Sequence, residues 1–342
     1  MKILFMTPDC SNEVSWLYLH YLEQAVAKIA ECKWAGRGHE THVKGENLND
    51  TIKRVMPDAD WAVILENAQS AFRGDVVIPN ERDCKIAYIS GDIYRDPKGY
   101  TEFLNEGRWD ALLMASIKVP MSANTKMKNK STYFTPIDPE YYLKNLISPV
   151  FHMPFSMNPD LFKPLNQPTL YEVSFLGEPH PVYYPLRHII WAKLPQLAER
   201  NNWRLLIRET PPGQALISRN IDELLKKGYY VGGKYAEVLA LSKTFIFATG
   251  VGRGPIKKYF EGMAAGTCVL ADTPFTAEEL HFKPNWNFVE INKSNWKDKL
   301  KYYLDHDEER EEIARRGRET ILKYHTNSVR SQELVKFLEE CS

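Results

Sequence analysis

The chain is poor in several things, and each shortage removes a class of protein. No run approaches the ~18 apolar residues that a membrane-crossing helix needs. The opening MKILFM is soon followed by Asp9 and is too brief for a secretory leader. The five cysteines, Cys10, Cys32, Cys84, Cys268 and Cys341, are dispersed, with no CxxC pair and no zinc spacing. Scattered thiols in odd number are expected to be reduced, which points to a cytoplasmic protein without a metal centre. His39 and His42, three residues apart, suit an exposed loop or helix face better than a ligand pair. Net charge is absent too: 44 Lys and Arg balance 44 Asp and Glu, so no global basic field attracts nucleic acid. The turn after the first apolar run, TPDCSNE (7–13), contains no glycine. It therefore lacks the GxGxxG phosphate turn of an NAD-dependent oxidoreductase.

What is present describes a globular protein of more than one domain. A length of 342 residues exceeds one typical domain, and 44% hydrophobic against 26% charged residues allows sizeable cores. Apolar runs at 2–7, 61–66, 84–90 and 111–115 read as buried strands, and 16–31 has helical apolar spacing. Continuous apolar strands separated by helices imply a parallel sheet covered on both faces. Residues 151–168 carry four prolines and little periodicity, which suits a crossing between domains. A second series follows, with strands at 172–176, 203–208 and 288–291, helices at 184–199 and 235–242, and two helices closing the chain. The charged run DEEREEIARRGRE (307–319) reads as a solvated helix face. The expected fold is α/β, two Rossmann-like doubly wound domains facing a cleft, with ligands at the carboxyl ends of strands.

The most informative stretch is 244–272. A strand at 244–248 leads into Gly250, Gly252 and Gly254, then a helix at about 255–265 with Pro255 in its first turn. Gly266 stops that helix, and 268–271 is another strand. Glycines let a ligand approach the backbone, and a helix N-terminus offers free N–H groups to an anion. Lys257, Lys258 and Glu261 lie on the helix. A diphosphate beside sugar hydroxyls matches this combination, so the chain is expected to handle a nucleotide-activated molecule.

Several segments, in order, resemble the GT-B nucleotide-sugar glycosyltransferases of the glycosyltransferase group 1 superfamily, in particular its spore-maturation-protein-like branch. They are FHMPFSMNPDLF (151–162), VSFLG (173–177) with Arg187 beyond it, YAEVLALSKTFIFA (235–248), YFEGMAAGTCVLAD (259–272) and HTNSVRSQELVKFL (325–338). The resemblance covers roughly 150–340. It implies an acceptor-side domain at 1–155, a donor-binding domain at 156–325, and a closing helix (326–342) that packs back on the first domain. It also implies that Glu261 contacts the nucleotide ribose. Many retaining relatives carry a second glutamate where this chain has Arg253, which leaves the stereochemistry open and makes Arg253 a candidate for the diphosphate.

Sugar transfer builds negative charge on the leaving phosphate, which calls for preorganised cations or N–H groups. The candidates are the amides of Gly252 and Gly254 with Arg253, Lys257 or Lys258, and Arg208 at a strand end. Gly177 would let the chain approach the donor, and Arg187 either binds it or serves structure. The acceptor hydroxyl needs a base in an inverting reaction; Asp92, Asp9 and His20 are the candidates. The expected reaction moves a hexose or pentose from a nucleoside-diphosphate sugar, UDP-sugar by default, to a hydroxyl acceptor without a metal. No permanent cofactor is expected. The acceptor is a glycan, a small molecule or a modified nucleobase. Alternatives are a DNA-base glycosyltransferase acting on a hydroxymethylated pyrimidine, for which the basic loop 126–134 would give a weak nucleic-acid contact, a nucleotide-sugar epimerase, and an inactive sugar- or nucleotide-binding module.

Overall fold

The computed structural model describes residues 1–65, 76–90, 96–118, 120–126, 131–208 and 220–341, with backbone only for 121–126 and 131–134. Its elements run in chain order as β1 (Lys2–Met6), α1 (Leu17–Val26), β2 (Glu31–Trp34), β3 (Glu46–Asn47), α2 (Leu48–Val55), β4 (Trp61–Leu65), β5 (Val76–Val77), β6 (Lys85–Ile89), α3 (Pro97–Glu106), β7 (Ala111–Met114), β8 (Met121–Lys126), β9 (Ser131–Pro136), α4 (Tyr141–Asn145) and β10 (Val150–His152). They continue as β11 (Tyr171–Leu176), α5 (Pro185–Arg200), β12 (Leu205–Arg208), α6 (Ile221–Lys226), α7 (Gly232–Ala240), β13 (Ser242–Ile246), α8 (Lys257–Ala264), β14 (Cys268–Ala271), β15 (Val289–Glu290), α9 (Trp296–Asp305), α10 (Asp307–Tyr324) and α11 (Asn327–Glu340).

Contacts divide the chain into two units: Met1–Ser11, Leu19–Pro154 and Asn327–Ser342 form one, and Asn12–Tyr18 with Phe155–Thr326 form the other. The first holds a six-stranded sheet in the order β10-β7-β6-β4-β1-β2. Every neighbouring pair is parallel. The apolar runs are its central strands, and β4 is buried at all five positions because helices cover both faces. One core gathers Leu4, Ile52, Ile86, Leu112 and Tyr142. The second unit holds a five-stranded parallel sheet, β12-β11-β13-β14-β15. Its two faces carry separate cores, one with Phe245, Tyr259 and Phe260, the other with Phe175, Ile190 and Trp296.

The structure departs from the sequence reading in four places. Helix α1 ends at Val26, and the chain turns into the edge strand β2, whose alternating burial hides it from an apolar-run search. Helix α8 begins after Ile256, an extended N-cap, so Pro255 lies before the helix rather than in its first turn. Three helices close the chain instead of two, because His306, at φ −122° and ψ 77°, separates α9 from α10. The charged run on α10 is not wholly solvated, since Arg310, Ile313, Ala314 and Gly317 are buried. The basic loop 126–134 belongs to the antiparallel hairpin of β8 and β9, and its tip, 127–130, lies outside the described residues. None of the described helices is long and apolar enough to cross a membrane.

Candidate functional site: the carboxyl edge of the second sheet

Strands β11, β13 and β14 run parallel and end side by side, so their following loops share one edge. Arg187, on α5, ties two of these loops together. It is only 4% exposed. Its Nε and Nη2 donate to the Ala248 carbonyl at 3.0 and 2.6 Å, and Nη1 donates to the Glu178 carbonyl at 3.3 Å. The Tyr184 ring lies 3.8 Å beneath the guanidinium. Carbonyls orient this cation without neutralising it, and desolvation lowers its pKa.

Lys258 on α8 faces the same place. A Cβ built on Gly177 would make ordinary van der Waals contact at 3.4 Å with Arg187 Cδ and 3.6 Å with Lys258 Cε, so both cations reach this loop. The Lys258 ammonium stands 5.4 Å from the Tyr235 ring and 5.9 Å from Phe245. Part of the side chain still meets solvent, yet burial first, and then the Arg187 charge, push its pKa down to about 7. None of the described residues accepts a hydrogen bond from it. One turn further on, Glu261 accepts a hydrogen bond from Tyr235 Oη at 3.1 Å. Burial raises the Tyr235 pKa well above 10.0, so this phenol remains a donor.

The glycine loop leaves β13 under the control of Asp272. That carboxylate accepts from Thr249 N at 2.7 Å and from Thr249 Oγ1, while its burial raises its pKa. Apart from their chain neighbours, none of the described residues comes within 4 Å of a Cβ built on Gly252 or Gly254, so described packing does not demand glycine there. Arg253, between them, takes the left-handed φ of 49° that glycine would adopt more easily. Its Nε and Nη2 donate to the Thr273 carbonyl at 3.2 and 2.7 Å, which anchors the loop.

Other sequence candidates lie elsewhere. Arg208 ends β12 on the same edge, exposed, 5.9 Å from the Tyr230 ring, and its carbonyl accepts from Gly177 N at 3.1 Å. Lys257 turns away from Lys258: its ammonium donates to the Val14 and Ser15 carbonyls at 3.2 and 3.0 Å. Asp9 and His20 belong to the first unit, near enough for each to shift the other's pKa, with His39 beside them. Asp92 lies outside the described residues. Among the described residues, no group of three or more His, Cys, Asp or Glu is placed to hold a metal ion. The sequence reading missed Tyr235, Thr249 and Asp272, which touch the site through folding rather than through a motif. Asp272 directly follows the buried run Cys268–Ala271, and that place after a strand was the available signal.

Residues 218–336 match the model of a family described as glycosyl transferase-like. No curated protein matches the chain. Solved structures match over nearly all of it. Sucrose-phosphate synthase from Thermosynechococcus elongatus is 11% identical, with 99% of this chain and 98% of that one covered and a TM-score of 0.64. The fold is GT-B. A glycosyltransferase from Rickettsia africae ESF-5 shares the GT-B fold at 13% identity, 99% and 98% coverage and a TM-score of 0.63. Anabaena HepE, solved in complex with UDP-glucose, does so at 12% identity, 99% and 100% coverage and a TM-score of 0.61.

Proposed function

We propose that this GT-B protein is a glycosyltransferase that binds a nucleoside-diphosphate sugar at the carboxyl edge of the second sheet, within a donor domain at 156–325. One observation carries the reading. Two crowded cations, Arg187 and Lys258, have no carboxylate among the described residues hydrogen-bonded to either, and lie beside a glycine loop with open space above it and one turn from Glu261. A diphosphate supplies the missing negative charge, and the ribose hydroxyls can donate to Glu261. UDP is the preferred nucleotide because HepE was solved with UDP-glucose and with UDP. Kinship to the spore-maturation-protein-like branch rests on the order of the sequence segments.

In this reading charge grows on the leaving diphosphate and is met by Lys258, Arg187 and the Gly252 and Gly254 amides, without a metal. Arg253 serves by fixing the loop, and Arg208 borders the site. The acceptor presents a hydroxyl, and Asp9 and His20 are the described candidates for its base. A thermal-shift panel of nucleoside diphosphates and nucleotide sugars tests the donor assignment. A melting-temperature rise with one nucleotide, lost in Glu261→Ala, is the expected result. No rise with any nucleotide would overturn it.

A further inference from the structure

The segment after β1 reads in the sequence as a plain glycine-free turn, but residues 12–18 belong by their contacts to the second unit. Asn12 Nδ2 donates to Asp222 at 2.9 Å, and the Asn12 carbonyl and Oδ1 both accept from Ile221 N at 3.1 Å. Glu13 makes an antiparallel bridge with Asn220, the N-cap of α6. The Val14 and Ser15 carbonyls hold Lys257, the first residue of α8. Tyr18 lies 5.7 Å from the Lys257 ammonium and packs edge-on against Phe155 at 5.0 Å. The segment is thus fastened between the starts of two helices of the second unit.

Glu13 is placed between those fastenings. Its Oε2 accepts from Trp16 N at 2.9 Å. Its Oε1 is buried and has no hydrogen-bond partner among the described residues. A buried carboxylate oxygen accepts only, and leaving it unmet is costly. A cation or a hydroxyl would satisfy it; a phosphate would be repelled. The glycine loop cannot supply a carboxylate of its own, because Arg253 is the one charged residue between 249 and 256. Glu261 sits one turn into α8 and is engaged by Tyr235.

We propose that Glu13 is the residue that accepts hydroxyls of the transferred sugar, and that Lys257 positions it by holding the 12–18 segment against α8. This rests on the donor reading above and separates the two ends of the donor: Arg187, Lys258 and Glu261 take the nucleotide, and Glu13 takes the sugar. Lys257 is then a positioning residue and not a phosphate ligand.

The test measures the affinity of the full chain for UDP, UDP-glucose and UDP-N-acetylglucosamine by titration calorimetry. In the wild type at least one UDP-sugar is expected to bind more tightly than UDP. Glu13→Gln, which keeps the size and an oxygen for Trp16 N, is expected to weaken that sugar about tenfold or more and to leave UDP unchanged, as befits a lost hydrogen bond to a charged group. Lys257→Met is expected to give the same pattern. A Glu13→Gln protein that keeps the full sugar increment overturns the inference, as does a wild type with no increment for either sugar. A Lys257→Met protein that loses UDP itself would make Lys257 a phosphate ligand and overturn its positioning role. Where the thermal-shift panel selects another nucleoside diphosphate, the same titrations use that nucleotide and its sugars, and absence of binding by every nucleoside diphosphate would instead remove the donor reading on which the inference stands.

Discussion

An ammonium held near pH 7 by its surroundings, as at Lys258, acts differently from a surface lysine. Its folded value lies below the ordinary 10.5, so between about 7 and 10.5 the folded protein binds fewer protons than the unfolded chain. This group's contribution to stability therefore rises with pH across that window. A bound diphosphate reverses the preference and favours the charged form. UDP affinity is expected to fall as pH rises above about 7, by up to tenfold per unit, and Lys258→Met is expected to abolish that slope. Calorimetry in buffers of different ionisation enthalpy would show the proton uptake directly, and an unchanged slope in the variant would remove Lys258 from the site. Glu23 gives the opposite sign. It is buried, accepts from Thr7 Oγ1 at 2.6 Å and Trp34 Nε1 at 2.8 Å, and burial raises its carboxyl to about 7 against these bonds, with Asp9 adding to the rise. The folded chain then holds more protons than the unfolded one between about 4.5 and 7, and stability is lost as pH climbs through that window. Glu23→Gln is expected to flatten this loss, with a gain on the order of 2–3 kcal/mol at pH 8 relative to pH 5 in denaturant titrations. Lys258 was legible in the sequence because it sat beside a glycine loop. Glu23 was not, because a glutamate on an amphipathic helix looks solvated until the helix is docked.

Helix α8 and its loop show how two kinds of glycine differ. Gly262 packs against β13 and β14: a Cβ there would lie 2.7 Å from Val269 Cγ2 and 3.0 Å from Phe245 Cδ1. Gly262→Ala is expected to destabilise the protein by about 1–3 kcal/mol through overpacking. Gly252→Ala meets nothing within 4 Å, so its melting temperature should match the wild type. If the loop cradles a diphosphate, the added methyl narrows the approach, and nucleotide affinity should fall while stability does not. Paired thermal melts and nucleotide titrations of the two variants distinguish packing from binding; equal affinity in Gly252→Ala would mean that the loop keeps its distance from the ligand. The strand-loop-helix-strand order of this unit was readable from apolar runs and the Gly266 stop, where φ is +78°. The start of α8 was not, because the Arg253 anchor on Thr273 and the extended Ile256 decide where the helix begins.

At the scale of the molecule, the first unit is built from distant parts of the chain. Its closing helix α11 stacks Phe337 on Phe151 at 5.1 Å, buries Leu338 completely, and its end is held by Lys85 Nζ donating to the Cys341 carbonyl at 2.6 Å. Leu338→Ala is expected to cost about 2–5 kcal/mol. Hydrogen exchange should show the loss in β4, β6 and β7 while β13 and β14 keep their protection; an equal loss in both units would show that they unfold together. The sequence by itself determined the α/β class, the parallel strands and the glycine loop, because buried parallel strands need continuous apolar runs and a tight approach needs glycine. Only the tertiary structure decided which side chains converge. Arg187 meets Lys258 because β11 and β13 are neighbours in the sheet, although the two residues lie far apart in the chain. Residues 12–18 follow β1 in the chain yet belong to the second unit, within which they are fastened to α6 and α8. Adjacency of this kind is set by strand order and packing, which no local pattern of residues encodes.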